Sequence, residues 1–461
     1  MEKTTIIEEI YRQNKHWGQE SPVFNDIKNI NFKRKLFYEL LPYLPKKQVL
    51  SIVGLRRVGK TIILKQLIEH LISTGVNAKQ ILLLSFDEAL LTKKLTLADY
   101  LNSYLKEIAD TDKMNFIFLD EIQYSEKWQH IIKRYYDTEP NIKFIVSGSS
   151  SLFLKRKTTE SLAGRIFEFY LPVLSFTEYL ELTNVDSVLL NNYKKVGLAL
   201  GQKEIKDMNS AKNFVNQSGA TMVKYFEKYL LYGQFPEIAN ESDMNIVMKY
   251  LSESVYKKTI EYDIPRIFGV EKVQELKFLF QVLVNEVGSI IEIDNLAREI
   301  GLDKKTIKAY FEYLENSFLV YFIYNFSKSF RKSRRLSKKV YLSSANFLSV
   351  FHDFSNLELK SQYLGHLAEN YFMLVLKNAY QYVSFKRIRR NEFNFLGADD
   401  LLDKAHYQYF EVKYGKNFTS RDLRFISKVA GKNNTRFLVA AKNMFEINPT
   451  YSVIPVWLFK N

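Results

Sequence analysis

Short apolar runs alternate with segments of helical periodicity in the first 180 residues of the chain. The runs with the length and composition of buried strands are residues 48–53, 81–86, 116–119, 144–146 and 166–171. Apolar residues recur at helical spacing in residues 61–73, 97–108 and 128–136. Strands this apolar, alternating with helices, predict an α/β fold with a parallel sheet that is covered on both faces.

The pattern changes beyond this α/β core, which we assign to residues 46–182. A helical segment precedes it at 1–45, and helical periodicity broken by prolines predicts an all-helical lid at 183–269. Residues 270–345 contain a predicted helix-turn-helix and a basic linker, and residues 346–461 mix a helix with strand-like runs. A chain of 461 residues is long enough for several domains of this kind.

Composition adds limits on the compartment and the partner. The net charge of +15 favours a polyanionic partner such as nucleic acid or anionic lipid, although a lysine-rich surface also aids solubility. The chain has no cysteine, which excludes disulfides and Cys-ligated zinc. Its N-terminus lacks the features of a signal peptide, and no apolar run is long enough to span a bilayer. We expect a cytoplasmic protein with no membrane partner.

A glycine loop follows the first predicted strand and opens the next helix. Its sequence, Gly54-Leu-Arg-Arg-Val-Gly-Lys-Thr61, matches the phosphate loop that binds ATP and Mg²⁺. Glycines let the backbone N–H groups point at the phosphates, Lys60 reaches the β and γ phosphates, and the Thr61 hydroxyl is a ligand for the metal. The predicted cofactor-binding residues are Gly54, Leu55, Arg56, Arg57, Val58, Gly59, Lys60 and Thr61.

Polar residues follow the third and fourth predicted strands, and an arginine precedes the fifth. Asp120 ends the third strand as the second residue of the predicted metal site, and Glu121 is then placed as the general base for the attacking water. Ser147 ends the fourth strand, where it either contacts the γ-phosphate or water, or simply ends the strand. Arg165 precedes the fifth strand and either reaches a phosphate of its own or a neighbouring subunit, or forms a plain salt bridge.

Several ordered motifs together resemble the archaeal-type AAA-family ATPases that end in a restriction-endonuclease-like domain. They are the phosphate loop, Leu119-Asp-Glu-Ile-Gln123 with Trp128, Ser147-Gly-Ser-Ser150, Gly164-Arg165 and Pro172-Val-Leu-Ser-Phe176. The resemblance extends from about residue 30 to near the C-terminus and implies an AAA-type five-stranded core. It also implies a lid that contains residues 232–237 and a winged helix. AAA-type engines place one subunit's arginine at the neighbour's nucleotide, so a homo-oligomer is expected by analogy.

Residues 293–314 have the apolar spacing and central glycine of a helix-turn-helix. Its second helix would offer Lys304, Lys305, Thr306, Lys308 and Tyr310 to a DNA groove. A basic run follows, in which Arg331, Lys332, Arg334 and Arg335 would contact phosphate oxygens. The alternatives are that the winged helix is a packing module and that the basic run is only solvated.

The C-terminal part resembles the PD-(D/E)xK nucleases in Glu369, then residue 394, then Glu411 with Lys413. The family's pattern has Asp where this chain has Asn394, and a neutral amide is a poor ligand for a hard cation. The motif therefore predicts a degenerate nuclease domain that binds DNA or a partner.

These features lead to one hypothesis with two alternatives. We interpret the chain as an ATPase that couples Mg-ATP turnover to DNA binding or remodelling. The alternatives are a nucleotide-dependent signalling or defence switch that acts on a protein partner, and an ATP-regulated DNA nuclease.

Overall fold

The computed structural model describes residues 2–18, 24–28, 30–86, 95–149, 162–198, 200, 208–327, 337–354, 357–388, 391–400, 407–415, 424 and 437–460. The chain divides into two compact units. Unit 1 is Met1–Pro172 with Asn316–Phe318, and unit 2 is Val173–Glu315 with Leu319–Asn461.

Strands and helices alternate along unit 1. Its helices in the described residues are α1 Glu2–Gln13, α2 Lys35–Leu40, α3 Lys60–Ser73, α4 Leu97–Glu107 and α5 Trp128–Thr138. Its strands there are β1 Val49–Val53, β2 Ile81–Ser85, β3 Asn115–Asp120, β4 Ile142–Gly148 and β5 Ile166–Tyr170. All five predicted strands are therefore found within one or two residues of their expected bounds.

The five strands form one sheet in the order β2-β3-β4-β1-β5, and every pair is parallel. The predicted parallel sheet is confirmed. Ile117 and Leu119 of β3 pack in one core cluster with residues of α1, α4 and α5. Phe118 lies between them with no exposure and must face the opposite side, because strand side chains alternate. Both faces of β3 are thus buried, as its uninterrupted apolar run indicated.

Two side chains, at the last residue of α1 and just after it, pair with the outer edge of β2. The Asn14 amide donates to Leu83 O at 2.9 Å and accepts from Leu83 N at 2.7 Å, and the Gln13 side chain accepts from Ser85 N at 2.8 Å. Because β2 is an edge strand, its backbone groups would otherwise be open to another strand. The N-terminal segment therefore completes the sheet.

Unit 2 combines long helices with a second sheet. Its helices in the described residues are α6 Phe176–Leu182, α7 Ser187–Val196, α8 Met208–Tyr232, α9 Met244–Tyr250, α10 Ile264–Phe268, α11 Val273–Asn285, α12 Ile293–Ile300, α13 Lys304–Asn316, α14 Leu348–Phe351 and α15 Leu357–Ala379. A π-helix, Leu251–Asp263, connects α9 and α10. Its strands there are β6 Ile290–Ile291, β7 Val320–Asn325, β8 Lys338–Leu342, β9 Tyr382–Ile388, β10 Asn391–Ala398, β11 Gln408–Lys413, β12 Phe437–Ala441, β13 Glu446–Ile447 and β14 Tyr451–Pro455.

The strands of unit 2 form a continuous sheet in the order β13-β14-β12-β11-β10-β9-β7-β8-β6. We expected a separate domain to begin at residue 346, but the sheet contains strands from both sides of this boundary. They meet where β7 pairs with β9 in parallel, with Tyr324 opposite Ser384 and Asn325 opposite Phe385. The segment from α11 to β8 has the element order helix, strand, helix, helix, strand, strand.

A buried amide network joins the end of α8 to the residues after β8. Gln234 Oε1 accepts from the Ser344 hydroxyl at 2.7 Å, and Gln234 N donates to Asn346 Oδ1 at 2.8 Å. The Asn346 amide donates in turn to Leu230 O at 2.8 Å. Gln234, Ser344 and Asn346 therefore have a shared structural role. Among the described residues, no helix is long and apolar enough to cross a membrane.

Candidate functional site

The phosphate loop lies at the carboxyl end of β1 and leads directly into α3. Gly54 approaches β5 so closely that a Cβ atom would lie 2.3 Å from Leu171 O, and Gly59 has a φ of +100°, which favours glycine. Lys60 Nζ donates to Gly54 O at 3.0 Å and to Leu55 O at 2.8 Å across the loop. Both glycines and the lysine thus hold the curled backbone that a phosphate cradle needs.

The side chains between the two glycines face different surroundings. Leu55 and Val58 are buried in the core, so they contribute their backbone groups to the loop. Arg56 donates to the Tyr124 hydroxyl at 2.6 Å. Arg57 is exposed and has a φ of 66°, which is uncommon for a residue other than glycine.

Thr61, Asp120 and Ser147 form a hydrogen-bonded group beside the loop. The Thr61 hydroxyl donates to Asp120 Oδ2 at 2.7 Å, and the fully buried Ser147 hydroxyl donates to Asp120 Oδ1. Neighbouring hydroxyl and carboxylate oxygens are the hard ligands that Mg²⁺ prefers, so Thr61 and Asp120 fit the predicted metal. Ser147 is placed to hold the Asp120 carboxylate.

Glu121 follows in a left-handed conformation with a φ of 51°. Its N–H donates to the Ser147 hydroxyl at 3.2 Å, and its carboxylate accepts a hydrogen bond from the Gln123 amide. A strained residue that is fixed by its neighbours is a recurring feature of functional sites. The backbone and the carboxylate of Glu121 are therefore both held by neighbouring side chains.

Arg165 lies at the other end of the sheet. Its carbonyl accepts from Val49 N at 2.9 Å, which places it beside the start of β1, about 13 Å of strand away from the loop after Val53. Its side chain donates to Asp137 at 2.9 Å, as in the salt-bridge alternative. The position corrects one expectation, because Arg165 cannot contact the nucleotide of its own subunit.

Two residues of this site were not predicted from the sequence. Arg34 is buried and donates to the loop carbonyl of Val58, and Gln123 donates to Glu121 and to the Ser149 hydroxyl. Gln123 follows the acid pair by two residues, which is a usable local signal. Arg34 precedes the loop by twenty residues, and no spacing rule connects the two.

The predicted DNA-facing helix is α13, and some of its predicted contact residues are exposed while others are not. Lys304, Lys305 and Lys308 are exposed, and Lys304 pairs with Asp294 at 2.9 Å. The Thr306 hydroxyl donates to Asp303 within the helix start.

Tyr310 corrects our expectation for this helix. It is only 5% exposed, because it shares the packed face of Ile307, Phe311 and Leu314. Its hydroxyl donates to Lys272 O at 3.3 Å. Of the predicted basic run, Arg331, Lys332, Arg334 and Arg335 lie outside the described residues.

The nuclease-like residues Glu369, Asn394, Glu411 and Lys413 come together in unit 2. Asn394 Oδ1 accepts from Val412 N at 3.0 Å, which turns the amide nitrogen toward Glu369 Oε2 at 3.2 Å. Lys413 Nζ lies 3.0 Å from Glu411. Burial raises the pKa of Glu369 and of Glu411. Asn394 thus occupies the position where the nuclease pattern has Asp, and its amide donates a hydrogen bond to Glu369.

Two family models match parts of the chain. Residues 46–180 match the model described as an AAA domain, and residues 223–355 match a domain of unknown function (DUF8612). The first match covers the parallel sheet, the phosphate loop, the acid pair and Ser147. This part of the chain is a P-loop ATPase domain of the AAA class, a class that binds ATP.

Two uncharacterized proteins are similar in sequence to most of the chain. An uncharacterized protein of Methanocaldococcus jannaschii is 26% identical over 431 residues, which cover 92% of this chain and 84% of the relative. A second uncharacterized protein of that organism is 25% identical and covers 83% of this chain and 79% of its own.

Solved structures give weaker matches. The Aeropyrum pernix ORC1 protein in complex with DNA is 14% identical and covers 79% of this chain and 98% of its own, with a TM-score of 0.29. A similarity at this TM-score carries no inference about the function.

Proposed function

We propose that the protein binds and hydrolyses Mg-ATP and couples turnover to the binding or remodelling of DNA. The observation that carries the ATPase part is the convergence of Lys60, Thr61, Asp120 and Glu121 on the carboxyl ends of β1 and β3. In parallel sheets this edge is where ligands bind.

Each residue has a separate task in this proposal. The loop N–H groups and Lys60 hold the phosphates, while Thr61 and Asp120 hold Mg²⁺, which would neutralise phosphate charge when bound. Glu121 accepts a proton from the attacking water, and Gln123 and Ser147 keep its carboxylate and backbone in place. Arg165 acts on the nucleotide of a neighbouring copy in a homo-oligomer, since its own site is out of reach.

The DNA part rests on unit 2. The element order from α11 to β8 is that of a winged helix, in which the second helix of the pair enters the major groove. That helix is α13, and its exposed face carries Lys304, Lys305 and Lys308. We keep the division of unit 2 into lid, winged helix and nuclease-like domain as part of this proposal.

The nuclease-like cluster is included as a binding element without hydrolytic activity. Asn394 donates to Glu369, so a cation between these two groups would lose one of its expected carboxylate ligands. Supercoiled DNA with Mg²⁺ or Mn²⁺ and ATP tests this part, and nicking that is lost in Glu411→Ala would contradict it.

Salt-dependent binding tests the DNA part. Affinity for labelled duplex, forked and single-stranded DNA is measured between about 50 and 200 mM salt. The slope of log affinity against log salt concentration reports how many phosphates the protein neutralises. We expect the combined replacement of Lys304, Lys305 and Lys308 by Ala to lower the slope by about 0.9 for each phosphate that the variant no longer neutralises. The matched control replaces Lys35, Lys113 and Lys257, whose side chains are 80, 65 and 40% exposed, by Ala, so that control and variant lose the same charge. No binding of the wild type to any DNA, with ATP turnover intact, would support the protein-partner switch instead.

A further inference from the structure

We propose that Arg34 is a positioning residue for the phosphate loop, through which the N-terminal segment sets nucleotide affinity. Arg34 lies before α2 and is only 5% exposed. Its guanidinium donates to Val58 O at 2.8 Å and to Pro172 O at 3.0 Å. One side chain therefore joins three separate parts of unit 1.

The contact with Val58 O fixes the direction of a peptide plane. The carbonyl of Val58 and the N–H of Gly59 belong to one trans peptide, so they point in opposite directions. With the carbonyl held by Arg34, the Gly59 N–H points away from that guanidinium, and we assign it to the phosphates. Gly59 has a φ of +100° and is flexible enough to turn the other way without this contact.

The contact with Pro172 O gives the guanidinium a fixed support. Pro172 follows β5, whose neighbour Leu171 already packs against Gly54 at the start of the loop. An arginine donates along two directions from one rigid plane, which matches two carbonyls on different segments. A lysine has a single nitrogen and would hold this pair less well.

The helix that begins at the loop depends on the next peptide, because Gly59 links the peptide that Arg34 holds to the first carbonyl of α3. Ile63 N donates to Gly59 O at 3.1 Å, which closes the first turn of α3. If Arg34 orients the residues around Gly59, its removal should loosen this turn as well as the phosphate cradle. Amide exchange at Ile63 therefore reports on Arg34 in the absence of nucleotide.

A matched control separates loop positioning from anchoring of the N-terminal segment. Gln66 is also buried, and its amide donates to Phe32 O at 2.9 Å, so it ties the same segment to α3 without contacting the loop. Gln66→Leu removes this anchor and leaves the bond to Val58 O in place.

The experiment compares the wild type, Arg34→Met, Arg34→Lys and Gln66→Leu in the full chain. It measures Ile63 amide exchange without nucleotide, and then Kd for ATP, KM and kcat. We expect Arg34→Met to exchange at least tenfold faster and to raise Kd and KM at least tenfold, with kcat within threefold of the wild type. Arg34→Lys should recover part of both effects, and Gln66→Leu should match the wild type.

The inference rests on the proposed ATP site, but the two fail differently. A wild type that binds no ATP would remove the proposed function, while the exchange at Ile63 would still decide the role of Arg34. Equal exchange in Arg34→Met and Gln66→Leu would overturn the inference. So would an unchanged Kd for ATP in Arg34→Met.

Discussion

At the scale of single residues, the site depends on side chains that hold other side chains. Asp120 receives hydrogen bonds from Thr61 and Ser147, and Glu121 is held by Ser147 and Gln123. Such support reduces the reorganisation needed when the substrate binds. The left-handed backbone of Glu121 costs about 1–2 kcal/mol, which these contacts must offset.

Replacing the loop lysine and the proposed base should separate binding from turnover. Lys60→Ala removes the cation that the proposal places at the phosphates and should abolish ATP binding. Glu121→Gln keeps the shape but cannot accept the proton, so it should bind ATP and hydrolyse it roughly 10²–10⁴-fold more slowly. Binding of a fluorescent ATP analogue and phosphate release measure the two properties. Hydrolysis at the wild-type rate by Glu121→Gln would refute its assigned role.

Asn394→Asp should convert the nuclease-like cluster into a cation-dependent one. The new carboxylate oxygen would face Glu369 at the present distance of 3.2 Å, where mutual repulsion adds to burial in making the ionisation of both groups costly. We expect the Tm to fall without divalent ions and to recover with Mn²⁺ or Mg²⁺, because a cation removes the repulsion. Differential scanning fluorimetry with and without chelator measures this. Asn394→Ala is the control, and an equal response to Mn²⁺ in that control would argue against a new cation site.

At the scale of elements, the segment after α1 contacts the backbone of the edge strand β2. Besides Asn14, the His16 ring nitrogen Nε2 lies 3.3 Å from Ile81 O, and the Trp17 indole donates to the same carbonyl at 2.8 Å. His16 is 2% exposed and its Nδ1 has no hydrogen-bond partner among the described residues. Burial therefore lowers the pKa of His16 to about 4.

This lowered pKa predicts acid sensitivity of the N-terminal segment. The unfolded chain binds a proton at His16 near pH 6.5 and the folded chain only near pH 4, so stability falls as the pH drops through this window. The loss should reach about 3 kcal/mol below pH 4. Urea unfolding of the wild type and His16→Gln between pH 7 and 4 measures it. The difference between the two proteins cancels the carboxylates that titrate in both, and parallel pH profiles would contradict the prediction.

Helix α13 illustrates what periodicity predicts and what was overlooked. The spacing of Ile307, Phe311 and Leu314 correctly indicates a helix, and it also places Tyr310 on the same packed face. We expected Tyr310 at DNA because of its residue type, but an aromatic ring at a core position buries its area in packing. The lysines at 304, 305 and 308 remain exposed, as their polarity indicated.

At the scale of the whole molecule, the sequence predicted what is local and left out what is distant. The loop, α3 and the acids after β3 follow from motifs in which chemistry and element boundary coincide, and parallel strands bring them to one edge. Arg34 was missed because it reaches Val58 and Pro172 across 24 and 138 positions. The junction of β7 with β9 was missed for the same reason, since pairing between distant strands leaves no periodic signal in either.

The division into two units predicts that nucleotide stabilises one of them selectively. All proposed ATP ligands lie within Met1–Pro172, which belongs to unit 1. Calorimetry should therefore show two unfolding transitions, and Mg-ATP should raise the midpoint temperature of the transition of unit 1 alone. At 100 times Kd, binding contributes about 2.7 kcal/mol, which corresponds to roughly 5–10 °C for a unit of this size. Lys60→Ala is the control, because it should keep both transitions and lose the shift. A single transition would mean that the two units unfold together. An equal rise of both transitions would mean that nucleotide stabilises unit 2 as much as unit 1. Either result would contradict the prediction.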